Sequence, residues 1–388
     1  MASRNSLQAM PNEIKAMIFK NVDINSVPAL ARTCRSFHKV YHQNSGLITH
    51  AIAVNTLGGV LPFAIAHYAA VRADWKACWP LPPEDELVEN IHQFGRKYLD
   101  RTKAELAIHP KEFTFDMVAE MVAFHSVIEK WALVYTVEYI PDMFDVSWTT
   151  PITTTEMDRV KIGMYTIEIS RTLLPFIIDD DDLIEKPWEM LWHYFPPWEN
   201  RIAWDIDNFF TAVVGTYYSE AYPEEEIDSE FTWLSNWGIR GLDRLDDMDF
   251  LESSLDDLEA ASVEKIFQNA RFCRRDYPAS TWLKPVGQDM TKRSLDIKHI
   301  LARFPQDDTA ACQMWYFELC KDVGLFKGRG HGPSDSSKWF DLARVHAVHP
   351  GVVPSLEEMQ AAAEGKEYVS EYYTLSTEPD YCREIGYY

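Results

Sequence analysis

Apolar residues along this chain recur mainly at three- and four-residue spacing, which is the period of a helix face rather than of a strand. Near the start, Ile14, Met17 and Ile18 fall at i, i+3, i+4 behind Pro11, whose missing N–H costs nothing in a first helical turn. The segment Asp23, Ile24, Asn25, Ser26 is a break rich in capping groups, and Ser26 or Asn25 can cap a second helix with Pro28 in its first turn. Leu30 and Ala31 are predicted to face inward from that helix. A third helix is predicted over 34–41, with Phe37, Val40 and Tyr41 again at i, i+3, i+4. Further helices are predicted over 45–71 with a bend, then over 84–99, 114–137, 153–178, 209–218, 251–272, 294–304, 309–323 and 355–364. Their punctuation is consistent with this. Glu84, Asp85 and Glu86 put acids in a first turn, threonines open 153–178, and Ser355 caps a turn containing Glu357 and Glu358. Alternating apolar–polar runs are few, so β content should be low. The expected fold class is mainly α, with a short N-terminal three-helix module followed by a large irregular all-helical domain. The expected divisions are the module at 1–50, a helical domain at 51–326 that recognises a target, and a flexible linker, short helix and tail at 327–388.

Three helices of under ten residues each are marginal alone in water. A fold of that size usually needs metal, disulfides or a partner. The module has one cysteine, Cys34, and no metal-ligand spacing, which leaves a partner.

The residues that carry this reading are Met10-Pro11, Glu13-Ile14, Ile18, Leu30 and Cys34-Arg35-Ser36-Phe37. In that order they resemble the F-box, whose pattern has an apolar-Pro pair, Glu-Ile, an apolar residue four further on, a leucine and a Cys-Arg-x-Phe-like segment. Met10 departs from the usual leucine, a swap of similar volume and flexibility. The resemblance covers roughly 45 of the 388 residues. The chain also resembles the many uncharacterised F-box proteins of filamentous fungi. The resemblance implies a substrate-recognition adaptor of an SCF-type ubiquitin ligase, docked on the linker subunit through Met10, Pro11, Ile14, Ile18, Leu30, Cys34 and Phe37.

Charge bears on that partner. Residues 1–50 carry Arg4, Lys15, Lys20, Arg32, Arg35 and Lys39 against Glu13 and Asp23. The whole chain has net charge −23, and residues 179–259 alone hold 23 acidic and four basic side chains. A basic module steers toward an acidic partner surface, which the linker subunit offers in general. The acidic segment repels phosphates, so nucleic acid is not an expected partner there. No membrane span is expected, because the most apolar stretch, 52–71, is interrupted by Asn55, Gly58, Gly59, Pro62 and His67. The first ten residues lack the apolar core of a secretory signal, and the six cysteines are scattered without a CxxC. An intracellular protein with reduced thiols, cytoplasmic or nuclear, is expected. No period of 20–50 residues is visible, so the repeat domains common among F-box adaptors are not expected.

Candidate chemistry is sparse. Residues 179–185 contain DDxxE, similar to the Mg-diphosphate motif of class I terpene synthases, with Asp181, Asp182 and Glu185 as the carboxylates. The second metal motif of those enzymes is not found. His346 and His349 are three apart but lack further zinc ligands nearby. The GxGxG within 327–334 has no preceding strand and reads as a linker. No catalytic residue, cofactor or metal is therefore expected. A tryptophan cluster, Trp188, Trp192, Trp198, Trp204, Trp233 and Trp237, is either core or a carboxylate-rimmed surface for a target. The alternatives to an adaptor are a helical Mg-dependent terpene-synthase-like enzyme and a non-catalytic scaffold whose first helices belong to one core. Deleting residues 1–50 is expected to leave an adaptor's remaining domain folded and to unfold such a scaffold. The target's identity, its modification state and the oligomeric state are not readable from the sequence.

Overall fold

The computed structural model describes residues 9–76, 82–101, 106–139, 151–174, 185–196, 198–200, 202–203, 205–207, 209–210, 312–313, 326–328, 340–341, 344, 354–363 and 373–375. The helices expected over 251–272 and 294–304, Asp179 to Asp182, His346 and His349 lie outside the described residues. Within them the chain is mainly helical. The N-terminal module is α1 (Asn12–Lys20), a 3-10 turn (Ile24–Ser26), α2 (Val27–Arg32) and the first half of α3 (Arg35–Leu57). Then follow α4 (Leu61–Val71), α5 (Glu84–Phe94), α6 (Phe115–Val134), α7 (Thr154–Leu173) and α8 (Glu185–Trp192). Among the described residues the exception is a two-stranded antiparallel ladder, β1 (Phe326–Gly328) against β2 (Tyr373–Leu375), with Lys327 opposite Thr374. Between the strands lies α9 (Leu356–Ala363).

Local chemistry explains the helix starts. Pro11 and Pro83 are extended residues directly before α1 and α5, whose first turns carry Glu13 and Glu84 to Glu86 on the positive dipole end. The Thr114 hydroxyl accepts from the Met117 N–H at 3.2 Å to open α6. Thr153 and Glu156 form a reciprocal capping box at α7, as do Ser355 and Glu358 at α9. Asp23, not Ser26 or Asn25, caps the second helical segment: its carboxylate accepts the Ser26 N–H at 3.0 Å. The reason is the 3-10 turn, which starts the winding three residues early. The Ser26 hydroxyl hydrogen bond holds the Asp23 carboxyl below the usual range.

The third and fourth predicted helices are joined. α3 continues to Leu57 with a kink at Asn44, whose φ of −130° leaves the helical region while its side-chain amide bonds the Val40 carbonyl. The predicted bend falls at Gly58, where φ is +52°, a conformation that costs glycine little. Pro62 then sits in the first turn of α4. The span 35–71 is apolar and long enough by composition to cross a membrane. Here it is two helices, and its apolar side chains Ile48, Ile52, Leu57, Phe63 and Ile65 are buried against the rest of the fold.

One apolar core runs through the described residues. Phe19, Val27, Phe37 and Val40 of the module join Ile52, Phe113, Met121, Ile128 and Tyr165 in it. The module is tied on by hydrogen bonds as well. The Asn55 amide donates to the Lys20 carbonyl at 2.8 Å, and the Thr49 hydroxyl donates to the Phe113 carbonyl at 2.9 Å. Gly46 lets α3 close on the 110–112 turn, since a Cβ there would sit 2.3 Å from the Lys111 carbonyl oxygen.

The segment after residue 327, expected as linker and tail, has anchored parts. Glu156, fully buried in the first turn of α7, accepts from Arg344 Nε at 2.7 Å, Arg344 Nη2 at 2.8 Å and the Asp341 N–H at 2.9 Å. Burial alone would push the Glu156 carboxyl up. The Arg344 guanidinium and the Thr153 and Asp341 N–H groups outweigh it and hold that carboxyl below its ordinary range. Arg159 completes the cluster by pairing with Asp341 at 2.9 Å. Further along, Met359 of α9 is buried.

Candidate functional site

The module's core is filled by aromatic packing. Phe19 of α1 meets Phe37 at 5.6 Å and Tyr41 at 5.5 Å between ring centroids, both from α3. Val27, Ala31 and Val40 close it. Burial and the nearby Asp116 carboxylate of α6 push the Tyr41 hydroxyl up. α1 turns Lys15 and Phe19 inward, four residues apart on one face.

That orientation leaves an apolar face outside. Ile14 is 42% exposed and Met17 57%, and Pro11 ahead of them is exposed too. Met10, Ile18, Leu30 and Cys34 are half-buried along the rim. Phe37 is different. At 1% exposure it is a core residue, so it supports the face from beneath and cannot anchor a partner directly. Sequence periodicity placed Phe37 on an apolar stripe, but a stripe does not say whether it faces the chain's own core or a partner. Met17, which was not among the expected contacts, is the most exposed apolar side chain of α1. It shares a face with Ile14 at i+3, and that spacing was the signal available.

Cys34 is also the cap residue of α3. Its Sγ lies 3.2 Å from the Ser36 hydroxyl. That hydrogen bond, with the Phe37 N–H, holds the thiol below its ordinary value.

The tryptophan cluster resolves only in part. Trp192 and Trp198 are 7% and 3% exposed and lie in the core, with Trp192 and Phe195 rings 6.0 Å apart. The expectation of a target surface does not hold for these two. α8 packs on α5, and Ile202, Ala203 and Ile206 lie against α7 at Gly163. Trp188 lies on α8, but its side chain is outside the described residues, as are Trp204, Trp233 and Trp237. Around the same layer, Arg101 forms a two-pronged pair with Glu199, and Tyr194 donates its hydroxyl to the His92 carbonyl at 2.9 Å. Glu185 opens α8, while Asp181 and Asp182 lie outside the described residues. Among the described residues, no group of three or more His, Cys, Asp or Glu side chains converges as a metal site.

The first three helices turn Phe19, Val27, Phe37 and Val40 into the core and leave a proline-led apolar face outside, flanked by basic side chains. Residues 7–40 match the family of the F-box domain, so the chain carries an F-box there. In general terms the domain indicates an adaptor role in SCF-type ubiquitin ligases, and F-box domains bind the linker subunit of those complexes. No curated protein and no solved structure matches the chain.

Proposed function

We propose that this protein is a substrate-recognition adaptor of an SCF-type ubiquitin ligase. The linker subunit docks on the exposed face of α1, with Pro11, Ile14 and Met17 as central contacts and Met10, Ile18 and Leu30 at the rim. The helical body beyond residue 50 presents a target protein. The adaptor does no bond chemistry. It raises the local concentration of a target lysine beside the ligase. The setting is intracellular, cytoplasmic or nuclear.

One observation carries this reading. Ile14 and Met17 stay exposed on α1 although Phe19, Val27, Phe37 and Val40 are already buried in the core that the module shares with the rest of the fold. Large apolar groups left outside a finished core are material for an interface. The basic side chains Lys20, Arg32, Arg35 and Lys39 favour an acidic partner. The test is capture of the linker subunit by the full chain. Pro11→Ala combined with Ile14→Ala should weaken capture while the far-ultraviolet circular dichroism stays that of the wild type. Unchanged capture would falsify the proposed docking face. Affinity purification with the wild type and the same double variant would then separate ligase-linked partners from candidate targets.

A further inference from the structure

On the first half of α3, His38 and His42 stand four residues apart and both are exposed. Their Nε2 atoms converge to 3.1 Å and their rings lie 4.2 Å apart. We propose that His38 and His42 form a two-histidine chelate for one divalent transition-metal ion, Cu²⁺ in preference to Ni²⁺ or Zn²⁺.

The geometry admits the ion, and intrinsic affinity sets the preference. With metal–nitrogen bonds of about 2.0–2.1 Å, a separation of 3.1 Å gives an N–metal–N angle of about 95–102°. That bite falls between the right angle of tetragonal Cu²⁺ or Ni²⁺ and the tetrahedral angle of Zn²⁺, so it admits all three ions. Imidazole nitrogen suits all three ions, and intrinsic affinity is greatest for Cu²⁺. Coordination needs both Nε2 lone pairs. The ring that donates the present hydrogen bond therefore moves to its Nδ1–H tautomer, and the ion takes the place of the shared proton. Among the described residues no third ligand joins the pair, so water fills the other positions. Arg35 and Lys39 on the same helix oppose the ion's charge, which sets the affinity below that of a dedicated structural site. Chelation across one turn would fasten the part of α3 just before the kink at Asn44. It would stabilise the module through preferential binding to the folded state.

The experiment titrates metal-free full-length protein with CuSO₄, NiCl₂ and ZnCl₂ separately, by calorimetry and, for Cu²⁺, by electron paramagnetic resonance. Wild type, His38→Asn, His42→Asn and the double variant are compared. The expected result is one saturable Cu²⁺ site with two-imidazole coordination, and weaker Ni²⁺ and Zn²⁺ binding. Each single variant should bind roughly a hundredfold more weakly, because the second ligand no longer acts intramolecularly. Cu²⁺ should raise the melting temperature of the wild type and not of the double variant. Either no saturable site, or a site the double variant leaves intact among the chain's 12 histidines, overturns the proposal. Both side chains are exposed, so a variant with wild-type circular dichroism in EDTA keeps the comparison valid.

Discussion

Ile14 and Phe37 lie in the same module and do opposite work. Phe37 is sealed against Phe19, so Phe37→Ala should leave a cavity and cost about 3–5 kcal/mol of stability, read by urea unfolding. Ile14 is 42% exposed, so Ile14→Ala should change stability by less than about 1 kcal/mol. Equal losses for the two would contradict this division. His125 makes a separate prediction. Its Nδ1 lies 3.2 Å from the Tyr165 hydroxyl, and its Nε2 lies 3.4 Å from Glu129, which also pairs with Lys161. Burial is the largest influence and, with Lys161, outweighs the Glu129 charge, so the imidazole is held below its ordinary value. A depressed folded value means the folded state resists the proton that the unfolded chain accepts. This contribution to stability is present above about pH 6.5 and is lost as pH falls through the lower folded value. Unfolding free energy should therefore drop between neutral and mildly acid pH, and His125→Gln should flatten that drop. An identical pH profile for the variant would remove His125 as the cause.

At the scale of elements, helix α3 shows where sequence reasoning succeeds and stops. Its apolar spacing, the cap chemistry at Thr153 and Ser355, and the bend near Gly58 are local, and all were legible. The fusion of two predicted helices across Asn44 was not, because a kink that keeps the helix going depends on what packs on both sides. Gly46 makes the same point. Alanine is the better helix former by about 1 kcal/mol, so sequence alone predicts that Gly46→Ala stabilises. The Lys111 carbonyl, 2.3 Å from the would-be Cβ, is backbone and cannot swing away. Gly46→Ala should therefore lower the melting temperature, and a rise would show that the 110–112 turn is not seated there. The anchoring of the chain near residue 340 was equally hidden. Glu156 and Arg344 are 188 residues apart, and nothing periodic links them. Glu156→Gln removes the buried carboxylate charge that faces the Arg344 guanidinium and should cost about 3–5 kcal/mol. Equilibrium unfolding measures it; a cost under about 1 kcal/mol would mean the pair is solvated.

For the whole molecule, the shared core changes how the module should be probed. Sequence organisation suggested that residues 1–50 could be removed to tell an adaptor from a single-core scaffold. In the structure α3 runs through residue 50, and Thr49 and Asn55 bond across to the Phe113 and Lys20 carbonyls. Removing the module would strip packing from Ile48, Ile52 and Phe113 as well as the exposed face of α1. Unfolding after deletion would thus say little about function. Substitutions on the module and the body should instead report on one transition. Phe37→Ala and Ile128→Ala should lower the same melting event, since both residues sit in one core. Two separate events, each sensitive to one variant, would mean the core is divided. The F-box pattern was legible as residue types between Met10 and Phe37, and the family match spans residues 7–40. Which of those residues face outward was not legible, because it depends on Phe19 and Lys15 taking the inner side of α1.

The central claim is that α1 offers an apolar face to the linker subunit without that face being needed for folding. Its most direct test is the dissociation constant of the purified linker subunit for wild type and for Ile14→Asp with Met17→Asp, alongside the melting temperature of each. Placing two carboxylates at an apolar contact should weaken binding by at least about a hundredfold, some 3 kcal/mol, while the melting temperature shifts by only a few degrees. Binding within about threefold of wild type in a folded double variant would contradict the account.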